Sequence, residues 1–234
     1  RGTRIMDETV CALFYKKYSL NAVKLQILSL LSLILLSCIL SLIKFKINDN
    51  YVVLSMNQIL IIASYLFMIG GLINGSTEVD NPESKIIYLL NGNKNISAQK
   101  IIIVELIDCV LQVILSFLII VLFLLFKGEI KGIDLIVLIS YILSTTLCSS
   151  IAYYLTLFFK SSMVALATLL IFPILVLPYI ERVLPATSPY IYYEAISESF
   201  KTSVFSTSHI VLLFWNVMVL LLIYLKIKKG FNNG

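Results

Sequence analysis

The residues best placed to do chemistry lie in one long apolar run. Glu105, Asp108 and Gln112 are spaced i, i+3 and i+7, so they share one face of a helix, and Ser116 extends it. On insertion scales an acid at the centre of a membrane helix costs about 2.5–3.5 kcal/mol. One to two turns from the end the cost is smaller, yet it still turns such a face toward protein or water rather than lipid. Two readings follow. The face is an acidic vestibule that attracts cationic or amphipathic cargo, or it is a packing face whose acids pair with Lys100 or Lys24 near the headgroups.

Catalytic constellations are missing. The chain has no Gly-x-Ser-x-Gly, no His-Glu-x-x-His, no Gly-x-x-x-x-Gly-Lys and no paired-glutamate protease motif. His209 is the single histidine and cannot supply both a base and a metal shell; an interfacial hydrogen bond is its expected role. Cys11, Cys38, Cys109 and Cys148 show no metal-site spacing, and three of them fall inside apolar spans as small hydrophobes. The chain is therefore expected not to be an enzyme by itself and to hold neither metal nor cofactor.

The elements that must position these groups are membrane helices. Of 234 residues, 59% are hydrophobic and only 13% charged, against about 25% charged in soluble domains. That leaves too little polar surface to cover a globule. The basic residues are scattered between apolar spans rather than gathered on one face, which argues against nucleic acid as a partner. Six windows are long enough to span, at about 25–43, 51–73, 100–126, 133–158, 163–180 and 207–226. The fold class is thus all-α membrane protein with six transmembrane helices. The fifth window carries Pro173 and Pro178 and is expected to kink or break. In the fourth, Ser144, Cys148, Ala152 and Thr156 recur every four residues, which reads as close helix packing or, less simply, as a pore lining. Gln26, Asn57, Gln58 and Asn216 are further polar groups in or near spans. The chain starts at Arg1 rather than Met, so a native start or a tag is expected upstream. No cleavable leader is expected, because the first apolar run is too long and lacks a small-residue cleavage site.

Lys and Arg orient the spans. One side holds Arg1, Arg4, Lys16, Lys17, Lys24, Lys85, Lys94, Lys100, Lys160, Lys226, Lys228 and Lys229; the other holds Lys44, Lys46, Lys127, Lys131, Arg182 and Lys201. The split is 12 against 6, so both termini and the loop 75–100 are expected in the cytosol. Residues 1–24 include a moderately amphipathic stretch, with Met6, Val10, Leu13 and Phe14 near one face, that reads as an interfacial helix. Segment 181–206 gives the outer side its only bulk. It carries Pro185, Pro189, Tyr190, Tyr192 and Tyr193 and predicts a helix from Glu194 to Lys201. Those aromatics read as an interfacial belt or as a short outer gate.

Loop 75–100 is the longest clearly polar passage. Within it Asn81-Pro82-Glu83 starts a short helix, Ile86, Ile87, Leu89 and Leu90 form its apolar face, and Asn91-Gly92 ends it. A second helix start is predicted at Ser97. A capped amphipathic helix on a cytosolic loop is a docking element.

This ordered pattern resembles the ABC-2 type permease, the membrane subunit of many ATP-binding-cassette exporters. The resemblance rests on six spans with cytosolic termini and the amphipathic N-terminal stretch. It rests also on an acid after the second span (Glu78 or Glu83), the short helix Ile86–Leu90, the Ile96-Ser97 start and the Pro-rich segment Leu184–Pro189. Departures are Asn95 where the family often has Pro, Ala98 where it often has Arg, and Glu105 where a basic residue is common. The resemblance implies a type V exporter-like fold in a bacterial cell membrane. It makes Glu83, Ile86, Ile87, Leu89 and Leu90 the coupling contacts to a cytosolic ATPase present in two copies, which binds the ATP and Mg. A second permease, identical or homologous, completes the transporter. Glu105, Asp108 and Gln112 become substrate-path candidates, and segment 181–206 an outer gate. Small permeases of this kind resemble those that export, or confer immunity to, antimicrobial peptides, bacteriocins and phenol-soluble modulins. The competing reading is a stand-alone carrier or channel with Glu105 and Asp108 as an ion site.

Overall fold

The computed structural model describes residues 21–40, 45–47, 50–52, 55–80, 93–127, 135–202 and 204–230. Within these, apart from one short pair of strands, the chain is helical, and it is a multi-pass membrane protein. Four helices are long and apolar enough to cross a bilayer: α2 (Met56–Asp80), α3 (Lys94–Lys127), α4 (Leu135–Phe159) and α8 (Thr207–Gly230). Preceding them is α1 (Asn21–Leu40), of 20 residues. The fifth expected window is a composite: α5 (Ser162–Ile171), a π-helical turn at Phe172–Val176, and α6 (Leu177–Val183). Pro173 lies in that wide turn. A proline removes one backbone donor and crowds the preceding turn, and a π turn is one way a helix absorbs both. The 3-10 turn Pro185–Tyr190 and α7 (Tyr192–Ser199) complete the chain.

Several predicted boundaries are corrected. The region predicted as the start of the second span holds a strand instead: β1 (Phe45–Ile47) pairs antiparallel with β2 (Asn50–Val52). The helix then starts at a reciprocal cap, where Ser55 N–H donates to Gln58 Oε1 at 2.8 Å and Gln58 N–H to Ser55 Oγ at 3.4 Å. It runs on to Asp80, so residues 75–80, predicted as loop, are helical. Helix α3 starts at Lys94 rather than Ser97, because Asn93 Oδ1 accepts from the Asn95 and Ile96 N–H groups. The outer helix begins at Tyr192 and ends at Ser199, two residues before its predicted bounds.

Helices α2 and α4 form the central pair. About half of each apolar window is buried, 56% and 50%, against 28% for α3 and α8. Their approach rests on Gly71 and Gly75. A Cβ at Gly71 would overlap the Ser149 carbonyl, and one at Gly75 would lie 2.6 Å from Thr156 Cβ. These contacts advance together along both helices, so α2 and α4 run parallel. Ser144, Cys148, Ala152 and Thr156 are all buried on this inner side of α4, as a small-residue seam requires. Tyr141 anchors the interior, its ring edge-on to Phe67 at 6.4 Å and tilted against Phe117 at 5.8 Å. The outward faces of α3 (Leu111, Leu118, Leu122) and α8 (Leu213, Phe214, Val217) are exposed, which suits lipid.

The bundle has two distinguishable ends. At one, Gly75 meets Thr156, Lys226 Nζ sits 5.0 Å from the Phe158 ring centroid, and Tyr224 OH donates to Asn95 Oδ1 at 3.1 Å. At the other, α7 and the start of α8 close over the start of α4.

Candidate functional site

The acidic stripe of α3 is built into the protein interior. Asn74 of α2 donates through Nδ2 to Glu105 Oε2 at 3.0 Å and to Asp108 Oδ2 at 3.5 Å. Gln112 Nε2 donates to the other Asp108 oxygen, Oδ1, at 3.0 Å. One turn on, Ser116 Oγ shares a 2.9 Å hydrogen bond with the Tyr141 hydroxyl and donates to Val113 O. The helical spacing therefore brings Glu105, Asp108, Gln112 and Ser116 onto one polar line, as the sequence predicts, and that line faces protein. Asp108 is 1% exposed, so its cost of burial must be met by these donors. Glu78, one turn past Asn74, and Lys100, before Glu105 on α3, are also buried, and both have interaction partners.

Glu105 differs from Asp108. It is only partly buried, and it lines a cavity of about 30 Å³ between α3, α4 and α8, together with Cys109, Ser149, Ser150, Tyr153 and Ile223. That is room for about two waters. Asp108 and Gln112 are thus packing polar groups, while Glu105 borders a small cavity. Asn74, which joins the two acids, escaped sequence reasoning. Its Oδ1 is buried with no hydrogen-bond partner among the described residues. An idle buried acceptor costs about 1–3 kcal/mol.

His209 makes the hydrogen bonds expected of it, within a fully buried site in the first turn of α8. Its Nδ1 accepts from Ser206 N–H at 3.1 Å, and its Nε2 lies 2.9 Å from Ser140 Oγ. A backbone N–H can only donate, so Nδ1 carries no proton and the neutral ring holds its proton on Nε2. That proton points at Ser140 Oγ. The pair therefore cannot act as nucleophile and base, although the distance alone fits one.

Asn216 is likewise spent on structure. Its Nδ2 donates to Leu143 O at 3.0 Å and Leu212 O at 2.9 Å, and its Oδ1 accepts from Thr146 at 3.0 Å. Gln58 caps α2. In the outer segment Trp215 Nε1 donates to Tyr190 O at 2.9 Å, and Tyr193 OH to Leu169 O at 3.3 Å. Burial pushes the Tyr192 and Tyr193 hydroxyls above their ordinary range. Tyr190 alone is exposed as a belt residue would be; Tyr192 is buried under the bundle end. Among the described residues no group of three or more His, Cys, Asp or Glu could hold a metal ion.

The coupling candidates Glu83, Ile86, Ile87, Leu89 and Leu90 lie outside the described residues, as does 1–20 of the N-terminal stretch. Compared with protein-family models and with curated proteins, the chain matches none.

Proposed function

We propose that the chain is the six-span membrane subunit of an ATP-binding-cassette exporter of the ABC-2 type, moving amphipathic or antimicrobial peptides out of a bacterial cell. The observation that carries this reading is where α2 and α3 deliver the segment between Asp80 and Asn93. It emerges at the bundle end that also gathers Lys94, Lys160, Lys226, Lys228 and Lys229. By the positive-inside rule this end belongs in the cytosol. A docking helix at 83–90 would then meet a cytosolic ATPase, which supplies ATP and Mg.

The mechanism follows from the packing. Closure of an ATPase pair pushes on the docking segment, and α2 and α3 carry that push directly to the Asn74–Glu105–Asp108 junction. Tightly packed helices switch between discrete arrangements rather than deform, so the load moves α3 as a body against α2 and α4. The Glu105 cavity opens or closes with that motion. Its single carboxylate, among aliphatic, hydroxyl and tyrosine side chains, would attract one cationic group of an amphipathic cargo rather than enclose the cargo. A second, homologous or identical permease completes the pathway.

The test is to purify the chain with the ATPase encoded beside it and measure ATP-driven peptide export in vesicles. Charged substitutions Ile86→Glu and Leu89→Glu are expected to uncouple ATP hydrolysis from export while the helical fold survives. The cavity beside Glu105 also favours a second reading, a stand-alone ion carrier. Flux by the chain alone, indifferent to ATP, would establish that reading and remove the first.

A further inference from the structure

The His209 cluster ties three helices together through a ring that must stay neutral. In the first turn of α8 the ring reaches back three residues, as the acidic member of a capping box does, and accepts the Ser206 N–H at Nδ1. Ser206 Oγ also lies 2.9 Å from Nδ1. Across the ring, Nε2–H donates to Ser140 Oγ on α4, and the Ser140 hydroxyl has the Ile136 and Ser199 carbonyls at 2.9 and 3.0 Å as acceptors. Ser199 ends α7. Phe205 stacks on the ring at 5.0 Å.

We propose that His209 is a pH-sensitive latch that holds the end of α7, at Ser199, and the start of α8, at Ser206, onto α4, and that protonation of Nδ1 releases it. A proton on Nδ1 would face the Ser206 N–H, donor against donor. Ser206 Oγ can take that new proton, but then the backbone N–H at the helix start loses its acceptor. The groups around the ring offer the imidazolium no compensating charge. Ser140, Ser199, Phe205, Ser206 and Ser208 are uncharged. The titratable residues on the packed elements are engaged elsewhere or not bonded to the ring. Tyr141 bonds Ser116, Tyr193 bonds Leu169, Glu198 pairs with Lys201 at 2.6 Å, and Tyr192 and Glu194 make no hydrogen bond to it. The closed geometry thus accepts only the neutral ring, whereas an opened latch lets His209 titrate near its ordinary value of about 6.5. The ratio of open to closed then rises about tenfold for each pH unit below that value. The latch lies at the bundle end opposite Asn95 and Tyr224 and stands independently of the transport reading.

Because His209 is the only histidine in the chain, one imidazole reports the state directly. The experiment is nitrogen NMR of histidine-labelled full chain in micelles with no added histidines, paired with amide exchange at Ser206 corrected for intrinsic rates. At pH 8 the expected result is a single Nε2–H tautomer and a protected Ser206 amide. Between pH 6.5 and pH 5 an imidazolium signal should grow while Ser206 protection falls about tenfold per unit. A Nδ1–H tautomer at pH 8 overturns the proposal. So does a ring that stays neutral and latched at pH 5, or one that protonates with Ser206 protection unchanged. In His209→Gln the amide oxygen can still reach the helix start but cannot titrate, so Ser206 should be equally protected at both pH values. Acid-induced loss persisting in that variant would assign the switch to another group and sink the idea.

Discussion

The Asn74 side-chain nitrogen lies 3.0 Å from a Glu105 carboxylate oxygen and 3.5 Å from one of Asp108, joining two helices through a single amide. Both acids accept from that donor, and both are wholly or partly buried. Asn74→Asp replaces the donor with a third carboxylate. Like charges at this spacing repel strongly away from bulk water. Thermal unfolding in detergent at pH 7 to 8 should show a loss of about 1–3 kcal/mol or more. The loss should shrink at acid pH, where an added carboxyl is neutral. A variant as stable as the parent across that range would mean Asn74 does not hold the junction.

Gly71 makes the closest approach between α2 and α4, and the obstacle to a side chain there is the Ser149 backbone rather than a movable group. Gly71→Ala should therefore cost about 1–3 kcal/mol through overpacking, with no rescue from Ser149→Ala. Unfolding midpoints of the single and double variants check this. Recovery in the double variant would show that the Ser149 side chain, not its carbonyl, sets the distance.

Much of this arrangement is legible in sequence and part is not, for physical reasons. Long apolar runs announce α3, α4 and α8, because nothing else buries such segments. The helix ends depend on single side chains. The Ser55-to-Gln58 cap and the Asn93 cap move two predicted starts by several residues. Gly75 to Asp80 reads as loop by composition. It stays helical in a stretch where Asn74 and Glu78 are buried and find partners in the interior. The Gly71-x-x-x-Gly75 spacing was available as a packing signal and pairs with the small residues noticed in α4. A hydrogen bond for His209 was readable from sequence, but not its partner Ser140, which lies 69 residues away. The Glu105–Asp108–Gln112 face was readable from spacing alone, but its split into one open and two buried members needed the positions of Asn74 and of the cavity.

Thr146 and Asn216 link α4 to α8 at 3.0 Å inside the apolar layer. Measured hydrogen bonds of this kind between membrane helices average only about 0.6 kcal/mol. A double-mutant cycle of Thr146→Val and Asn216→Leu should return a coupling near that value, read from unfolding in detergent. Zero coupling would mean each residue is satisfied by its own helix, since both also bond to nearby carbonyls.

Glu105 and Asp108 should separate when neutralised one at a time. Glu105→Gln keeps an oxygen for the Asn74 donor and changes mainly the charge offered to the cavity. Its stability should stay within about 0.5 kcal/mol of the parent. Export of cationic cargo should fall about tenfold relative to neutral cargo, equivalent to about 1.4 kcal/mol. Asp108→Asn converts an acceptor of two amides into a group that also carries a donor toward them. It should lower stability by about 1–3 kcal/mol and affect cationic and neutral cargo alike. Vesicle export with matched peptides and parallel unfolding curves give both readings. Equal cargo selectivity in Glu105→Gln and the parent would reduce the stripe to a packing face along its whole length, and the cavity would then take no part in choosing what is carried.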